Sequence, residues 1–369
     1  MISEDFMLKR ENVLKRIRGF YDCSLVKVLY GIKGCGKTTI LYQIMDELRN
    51  DKSVDEKHII FLDLGKEKFD YHSLNDYVES KIVDNKIYYV FLDDVQNVDN
   101  FELVVNSFRA TRDNASVFIT GSSLSLRISA LTSALGARHV SFEIFPFSYE
   151  EYISFTNNDA YDLVNFRDYV KWGGLPYRCS LSIEADIKNY LDNLIISNDT
   201  LLIKRVIKYL IANLGKDFSI DNACKYLEVS VDTLNNCLGI LCNALVIKRV
   251  ANYDLSGFRY YFTDLGFIQP SNINHAILEN IVFISLINEG YRVYVGKDSN
   301  CNVSFIANCF GNCIYVNVAK SSNYVKEFSK FNLVKNDFSK YIVSLDRVTL
   351  SKNGIEYLYL IDFLFKKDY

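Results

Sequence analysis

The sequence predicts an α/β protein whose first part, residues 1–155, folds around a parallel sheet. Three observations carry that prediction. Short apolar runs alternate with amphipathic stretches, as strands alternate with crossover helices. One run, Leu25–Tyr30, leads into Gly31-Ile32-Lys33-Gly34-Cys35-Gly36-Lys37-Thr38, which fits the spacing G-x-x-x-x-G-K-[ST], with an amphipathic helix over Thr39–Leu48 behind it. Another run, Tyr89–Leu92, ends on the acid pair Asp93-Asp94.

The elements follow in order. After the glycine-rich loop and its helix, Ile59–Asp63 reads as a strand, and Ile87–Leu92 as a second one ending at the acids. A helix over Phe101–Arg109 leads to a strand at Ser116–Thr120, and Val140–Phe145 closes the set. Residues 156–200 are helical and are broken by Gly173-Gly174-Leu175-Pro176, which forces a sharp turn. Residues 201–268 read as a winged helix. Ser219 caps a helix over Ile220–Leu227 and Ser230 caps one over Val231–Ala244, and the strands Leu245–Tyr253 and Phe258–Thr263 form the wing. Residues 269–369 open with Ala276–Glu289, apolar nearly all round and so a buried helix. Strands at Arg292–Val295, Val303–Ala307, Cys313–Val318, Tyr341–Ser344 and Tyr357–Ile361 complete that part.

At 369 residues the chain calls for more than one domain. A net charge of −3 makes no overall electrostatic case for nucleic acid. No apolar run approaches the ~20 residues of a membrane span. The start, Met1-Ile-Ser-Glu-Asp5, lacks the basic, apolar make-up of a secretory signal. Nine scattered cysteines suit reduced thiols better than a disulfide scaffold. The expectation is a cytoplasmic protein without a membrane partner.

The glycine loop sets the chemistry. Successive backbone N–H groups over Gly31–Thr39, including those of Ile32, Lys33, Gly34, Cys35 and Gly36, can wrap a phosphate chain. Lys37 reaches the outer phosphates of a nucleoside triphosphate, and Thr38 holds Mg²⁺ together with Asp93. Glycine is expected at positions 31, 34 and 36 because the backbone turns tightly there. Asp94 is the candidate for polarising an attacking water, one methylene shorter than the usual glutamate; a strand-end cap is the other reading. Thr120, before Gly121-Ser122-Ser123, either senses the outer phosphate or opens an ordinary turn. Arg138, in Gly136-Ala-Arg-His139, either offsets charge on the transferring phosphate, in cis or across a subunit contact, or is a surface arginine. Lys9, Arg10, Lys15, Arg16 and Arg18 read as a solvated helix face.

In this order the loop, the acid pair, Thr120-Gly-Ser, Phe145-Pro-Phe-Ser148, Gly173-Gly-Leu-Pro176 and Leu278-Glu-Asn280 are familiar. The chain resembles, over nearly its whole length, the prokaryotic AAA-type predicted ATPases with a winged helix and a restriction-endonuclease-like C-terminal domain. The resemblance implies ATP and Mg²⁺ as cofactors and ATP hydrolysis coupled to rearrangement of the appended domains. The family's acid pair is Asp-Glu, so Asp94 departs from it, as do Ser123 for Asn and Ala137-Arg138 for Gly-Arg. Where members carry Glu-x-Asp-Phe this chain has Asn302-Val303-Ser304-Phe305, and Asn317 and Ala319 replace an acid and a lysine. The resemblance therefore implies a nuclease-like scaffold without cleavage, with Glu279 left as a helix N-terminal acid.

Several alternatives stand beside this reading. The helix at Ser230–Ala244 has no Lys or Arg, which favours packing between domains, or protein contact with a partner or a second copy through the C-terminal domains, over DNA reading. Cys301, Cys309 and Cys313 read as small buried hydrophobes, since a zinc site wants four closely spaced ligands and the nearest histidine is His275. A phosphotransferase would need an arginine lid, for which 146–198 offers Arg167 and Arg178. A non-hydrolysing nucleotide-dependent module and a nucleic-acid-dependent ATPase remain open.

Overall fold

The computed structural model describes residues 8–111, 113–122, 135–194, 200–298, 301–309, 311–319, 324–329, 331 and 338–366. The chain divides into two compact units, 1–145 with 243–245, and 146–242 with 246–369.

In the first unit, β1 (Val26–Gly31), β2 (Ile59–Asp63), β3 (Tyr88–Asp93), β4 (Ala115–Ser122) and β5 (His139–Glu143) form a sheet in the order β2-β3-β4-β1-β5. Every pairing is parallel. Central β3 is buried at each position, whereas the edge strand β2 alternates buried and half-buried residues. The helices are α1 (Glu11–Arg18), α2 (Lys37–Asn50), α3 (Tyr71–Lys81) and α4 (Phe101–Thr111). The sequence reading has no α3. Its only buried side chains are Leu74 and Val78, too thin a stripe to show by periodicity, but an Asp70–Ser73 capping box starts it. Helix α2 begins at Lys37, two residues earlier than expected, because Gly36 takes the left-handed conformation and ends the loop there. One polar residue interrupts the apolar strands. Lys27 is fully buried in β1, and its Nζ donates to Ser116 Oγ (2.7 Å) and the Cys23 carbonyl (2.9 Å) and lies over the Phe118 ring.

The register matters for function. Asp63 pairs with Asp93, Leu29 with Thr120 and Gly31 with Ser122, so Asp63, Asp93, Thr120 and the glycine loop share one edge of the sheet. That is the C-terminal edge, where open parallel sheets gather ligands.

The second unit starts with α5 (Tyr149–Thr156), α6 (Leu163–Trp172), α7 (Pro176–Cys179) and α8 (Glu184–Leu194). Between α6 and α7 the Gly173-Gly174 turn is fixed by Asp264, whose carboxylate accepts from Gly174 N (2.7 Å) and Gly266 N (2.8 Å). Gly173 has φ +77°, and a Cβ there would overlap that carboxylate. Then come α9 (Thr200–Ala212), α10 (Ile220–Leu227), α11 (Val231–Asn243) and the antiparallel pair β6 (Ile247–Ala251) and β7 (Phe258–Phe262). Ser219 and Ser230 accept from Asn222 N and Thr233 N, the capping roles expected of them.

Helix α12 (His275–Asn288) is buried at every position from Ile277 to Asn288 and packs on a six-stranded mixed sheet. Its strands are β8 (Arg292–Asp298), β9 (Cys301–Cys309), β10 (Asn312–Val318), β11 (Ser339–Ser344), β12 (Leu350–Lys352) and β13 (Ile355–Tyr359), in the order β12-β13-β11-β10-β9-β8. Two short helices, α13 (Tyr324–Ser329) and α14 (Leu360–Leu364), belong to it. The expected strand at Tyr357–Ile361 is corrected: β13 ends at Tyr359, and Leu360 and Ile361 are helical. It starts earlier because Asn353-Gly354, both at positive φ, make a two-residue hairpin with the exposed strand β12. Among the described residues no helix is long and apolar enough to cross a membrane.

Candidate functional site

The glycine loop follows β1 and closes on itself, Cys35 N donating to the Ile32 carbonyl at 3.2 Å. Gly34 and Gly36 have φ +84° and +94°, which only glycine adopts without strain. Gly31 is required for a different reason from the one expected. Its φ is ordinary, but a Cβ would overlap the Ile144 carbonyl and stand 2.7 Å from Cys35 Sγ. Ile32 and Cys35 are buried beneath the loop, Lys33 and Gly34 form its exposed rim, and Thr39 is half-buried.

Lys37 folds back on the loop, its Nζ donating to the Gly31 (3.2 Å) and Ile32 (3.1 Å) carbonyls. Thr38 Oγ1 donates to Asp93 Oδ2 at 2.7 Å. The other Asp93 oxygen accepts from Thr120 Oγ1, which itself accepts from Asp94 N at 3.0 Å. Burial raises the Asp93 pKa above the usual carboxylate value, and the two hydroxyl bonds oppose the rise. Residues from the first turn of α2, from β3 and from β4 thus converge on one buried acid. Asp94, just past β3, is left-handed (φ 56°, ψ 49°), and its Oδ1 accepts from Gln96 Nε2 at 3.0 Å. Thr120 is therefore a hydrogen-bonding member of the cluster and not a bare turn residue; Ser123 lies outside the described residues.

Three arginine assignments change. Arg10 is not on a solvated face: it is 2% exposed, and its Nη1 donates to the carbonyls of Cys35 (3.2 Å), inside the glycine loop, and Phe145 (2.9 Å). The sequence gives little signal for this, since Arg10 stands in a run of bases just before α1. Arg138 is exposed at the start of β5, where His139 pairs with Val26. That is the N-terminal end of β1, five residues or roughly 16 Å from Gly31. The span exceeds an arginine side chain, so Arg138 does not serve the loop of its own chain. Arg178 is no lid residue either: it is buried and paired with Asp168 at 2.5 Å.

The C-terminal unit holds a second polar cluster. Glu279, the fifth residue of α12, is 5% exposed and accepts from Ser304 Oγ at 3.0 Å. That same oxygen accepts from Val318 N at 3.1 Å. Asn317 Nδ2 donates to Glu327 Oε2 at 2.5 Å, both buried. Ala319 is buried alongside. Cys313 sits in an apolar cluster with Val303, Ile306 and Tyr315, and Cys309 is half-buried; of the Cys301 side chain nothing is described.

Residues 24–153 match the family model of an AAA domain, and residues 164–270 match a domain of unknown function. The first part of the chain is therefore an AAA-type P-loop domain, with the parallel α/β sheet described above. An uncharacterized protein of Haemophilus influenzae is 28% identical, covering 97% of this chain and 98% of that one. The uncharacterized protein MJ1544 of Methanocaldococcus jannaschii is 25% identical over 90% of this chain and 83% of its own length. Among solved structures, AMPPCP-bound DnaA from Aquifex aeolicus superposes with a TM-score of 0.34 at 12% identity, over 64% of this chain and 89% of that one. The Aeropyrum pernix ORC1 protein in complex with DNA gives 0.33 at 13%, over 70% and 90%. Scores this low carry no argument about function.

Proposed function

We propose that this chain is an ATP-binding AAA-type ATPase, slow in turnover, in which bound nucleotide sets the arrangement of the appended domains. The observation that carries the reading is the junction of Thr38, Asp93 and Thr120 on one buried carboxylate beside a loop with two left-handed glycines. The residues fit the ligand. The loop amides and Lys37, whose ammonium rests, among the described residues, on two carbonyls of its own loop, would hold the phosphates. Thr38 and Asp93 are hard oxygen donors of the kind Mg²⁺ takes. Such an ion supplies charge neutralisation at the phosphate oxygens. Thr120 ties Asp93 to the Asp94 backbone, so a change at the outer phosphate is felt at Asp94. Arg138, remote from its own loop, would reach a phosphate loop only in a second copy, and a surface arginine is the other reading.

The helix-helix-hairpin order of residues 201–268 supports a winged helix, and the mixed sheet of 269–369 with its self-bonded acids supports a nuclease-like scaffold that does not cleave. Binding titration and phosphate release test the reading together. Lys37→Ala should weaken ATP binding by at least about 10²-fold, and Asp94→Asn should leave binding intact while removing turnover. Unchanged affinity in the first variant would sink the site. A second reading, a nucleotide-dependent interaction module without hydrolysis, is favoured by the short Asp94 side chain and its bond to Gln96. It predicts binding with no phosphate release in the wild type, and stimulation by DNA or RNA would instead mark a nucleic-acid-dependent ATPase.

A further inference from the structure

Residues 201–268 carry a face that their core does not use. On α9 the buried side chains Leu202, Ile203, Val206, Ile207 and Leu210 form one stripe at helical spacing. Lys204, Arg205 and Lys208 are exposed on the side away from it, and Tyr209 beside them is half-buried. On α10, Ala223 and Leu227 are buried while Lys225 and Tyr226 are exposed. Arg205 Nη2 donates to the Leu227 carbonyl at 2.6 Å, which ties the two helices together there. Across this face the aromatic rings make a row. Centroid to centroid, Tyr226 lies 5.2 Å from Tyr209, Tyr209 lies 6.3 Å from Phe218, and Phe218 lies 5.7 Å from Phe258 of β7. Tyr226, at the open end, is 71% exposed. The Phe218 N–H donates to the Phe258 carbonyl at 2.9 Å, so the backbone fixes the step to the hairpin. The Arg249 guanidinium of β6 stands 3.9 Å over the Phe258 ring and puts a cation at the other end of the row.

The charge of this face is lopsided. Residues 200–229 hold five basic residues, Lys204, Arg205, Lys208, Lys216 and Lys225, and three acids. Of the acids, Asp217 is paired with Arg259 of β7 at 2.8 Å, which leaves Asp221 and Glu228. Helix α11 has no Lys or Arg and one acid, Asp232, so the positive charge belongs to the α9–α10 side.

We propose that this face binds single-stranded nucleic acid, its rings stacking on bases and its lysines meeting phosphates. Each kind of partner would use a different part of it. An acidic peptide satisfies the lysines and leaves the row of rings idle. A duplex also meets the lysines, but its bases are already stacked on one another. A single strand engages both, because every base has a π-face and every nucleotide carries a charge. The composition of α11 agrees, since that is the helix that would enter a duplex groove. Stacking does not read the sugar, so DNA and RNA strands are both ligands. The proposal goes beyond the ATPase reading and holds whether or not ATP is turned over.

Fluorescence anisotropy of the full chain with labelled oligo-dT and oligo-rU of about 16 nucleotides, and with a duplex of that length, tests it. Both single strands should bind more tightly than the duplex; a preference between them upholds the proposal and tells DNA from RNA. Tyr226→Ala should weaken single-strand binding by about tenfold, the lower part of the range for one stacked base. Tyr226→Phe keeps the ring and should keep the wild-type affinity. Lys208→Ala should lower the slope of log K against log salt, between about 50 and about 200 mM, by about 0.7. Tyr226 is exposed, so its variants should melt as the wild type does and the readout is binding alone. No binding of either strand at about 50 mM salt overturns the proposal. So does a duplex bound as tightly as the single strands, or a Tyr226→Ala affinity equal to that of the wild type. Displacement of the oligonucleotide by polyglutamate at equal charge would assign the face to acidic peptides and overturn it as well. No ATP turnover enters these measurements, so their failure leaves the ATPase reading standing.

Discussion

The two polar clusters of this chain are built from similar parts and differ in what they leave open. At the loop edge of the N-terminal sheet, Asp93 is buried and bonded to two hydroxyls, Thr38 and Thr120. In the C-terminal sheet, Glu279 is buried and bonded to Ser304, while Glu327 is bonded to Asn317. The first cluster adjoins a loop whose lysine rests on carbonyls it can leave and whose rim is exposed. In the second, the Ser304 hydroxyl both donates and accepts inside the fold, and an amide has the place of an acid. On the proposed function, similar donors serve a ligand in one setting and the fold in the other. What separates them is whether a bond can be exchanged without breaking the packing.

A pair of hydroxyl deletions puts that contrast to the test. Thr38→Ala should weaken Mg²⁺-dependent ATP binding by about 10²-fold, roughly 2.8 kcal/mol, with a smaller change in melting temperature than Ser304→Ala, because Asp93 keeps its Thr120 bond. Ser304→Ala should do the reverse. It leaves the Glu279 carboxylate and Val318 N short of a partner in a buried setting, at a cost of about 1–3 kcal/mol of stability, with ATP affinity unaltered. Calorimetry and denaturant melts on both variants decide the matter. If Ser304→Ala changed nucleotide affinity and left stability alone, the C-terminal cluster would be a ligand site after all.

How much of this was legible beforehand follows from how local each signal is. The glycine loop, the acid after β3 and the caps at Ser219 and Ser230 depend on short spacings, and the sequence displays them. Even there a reason shifted: Gly31 is needed for the approach of the Ile144 carbonyl, a residue far along the chain. Arg10 under the loop, Lys27 inside β1 and Asp264 holding the Gly173-Gly174 turn are charged residues whose burial rests on distant partners. No periodicity announces such residues. Arg138 differs: its place next to a strand start, in a sheet expected to be parallel, already puts it at the edge opposite the loop, and the β5–β1 register agrees.

A last, smaller effect contrasts the units through pH, using the carboxylates Glu47 and Asp264. Hydrogen bonding by Arg18, with help from Lys9 and Tyr21, holds the Glu47 pKa down at about 2. Burial pushes the Asp264 pKa up to about 6, against the pull of its two backbone N–H partners and Arg178. The signs are opposite. Glu47 is depressed in the fold, so its stabilisation is present above its unfolded value near 4.5 and drains away as pH falls toward 2. Asp264 is raised, so the folded state holds the extra proton between its unfolded value of 3.8 and about 6, and stability declines as pH climbs through that window. Denaturant melts across pH 2–7 on wild type and Asp264→Asn read the second term directly. The variant should show a shallower downward slope between about pH 4 and 6, keeping only the share of Asp93, whose pKa burial also raises, and should retain the fall toward pH 2 to which Glu47 contributes. A slope in that window left unchanged by Asp264→Asn would mean that the carboxylate at the Gly173-Gly174 turn enters the fold already ionised, with its two amide partners outweighing its burial.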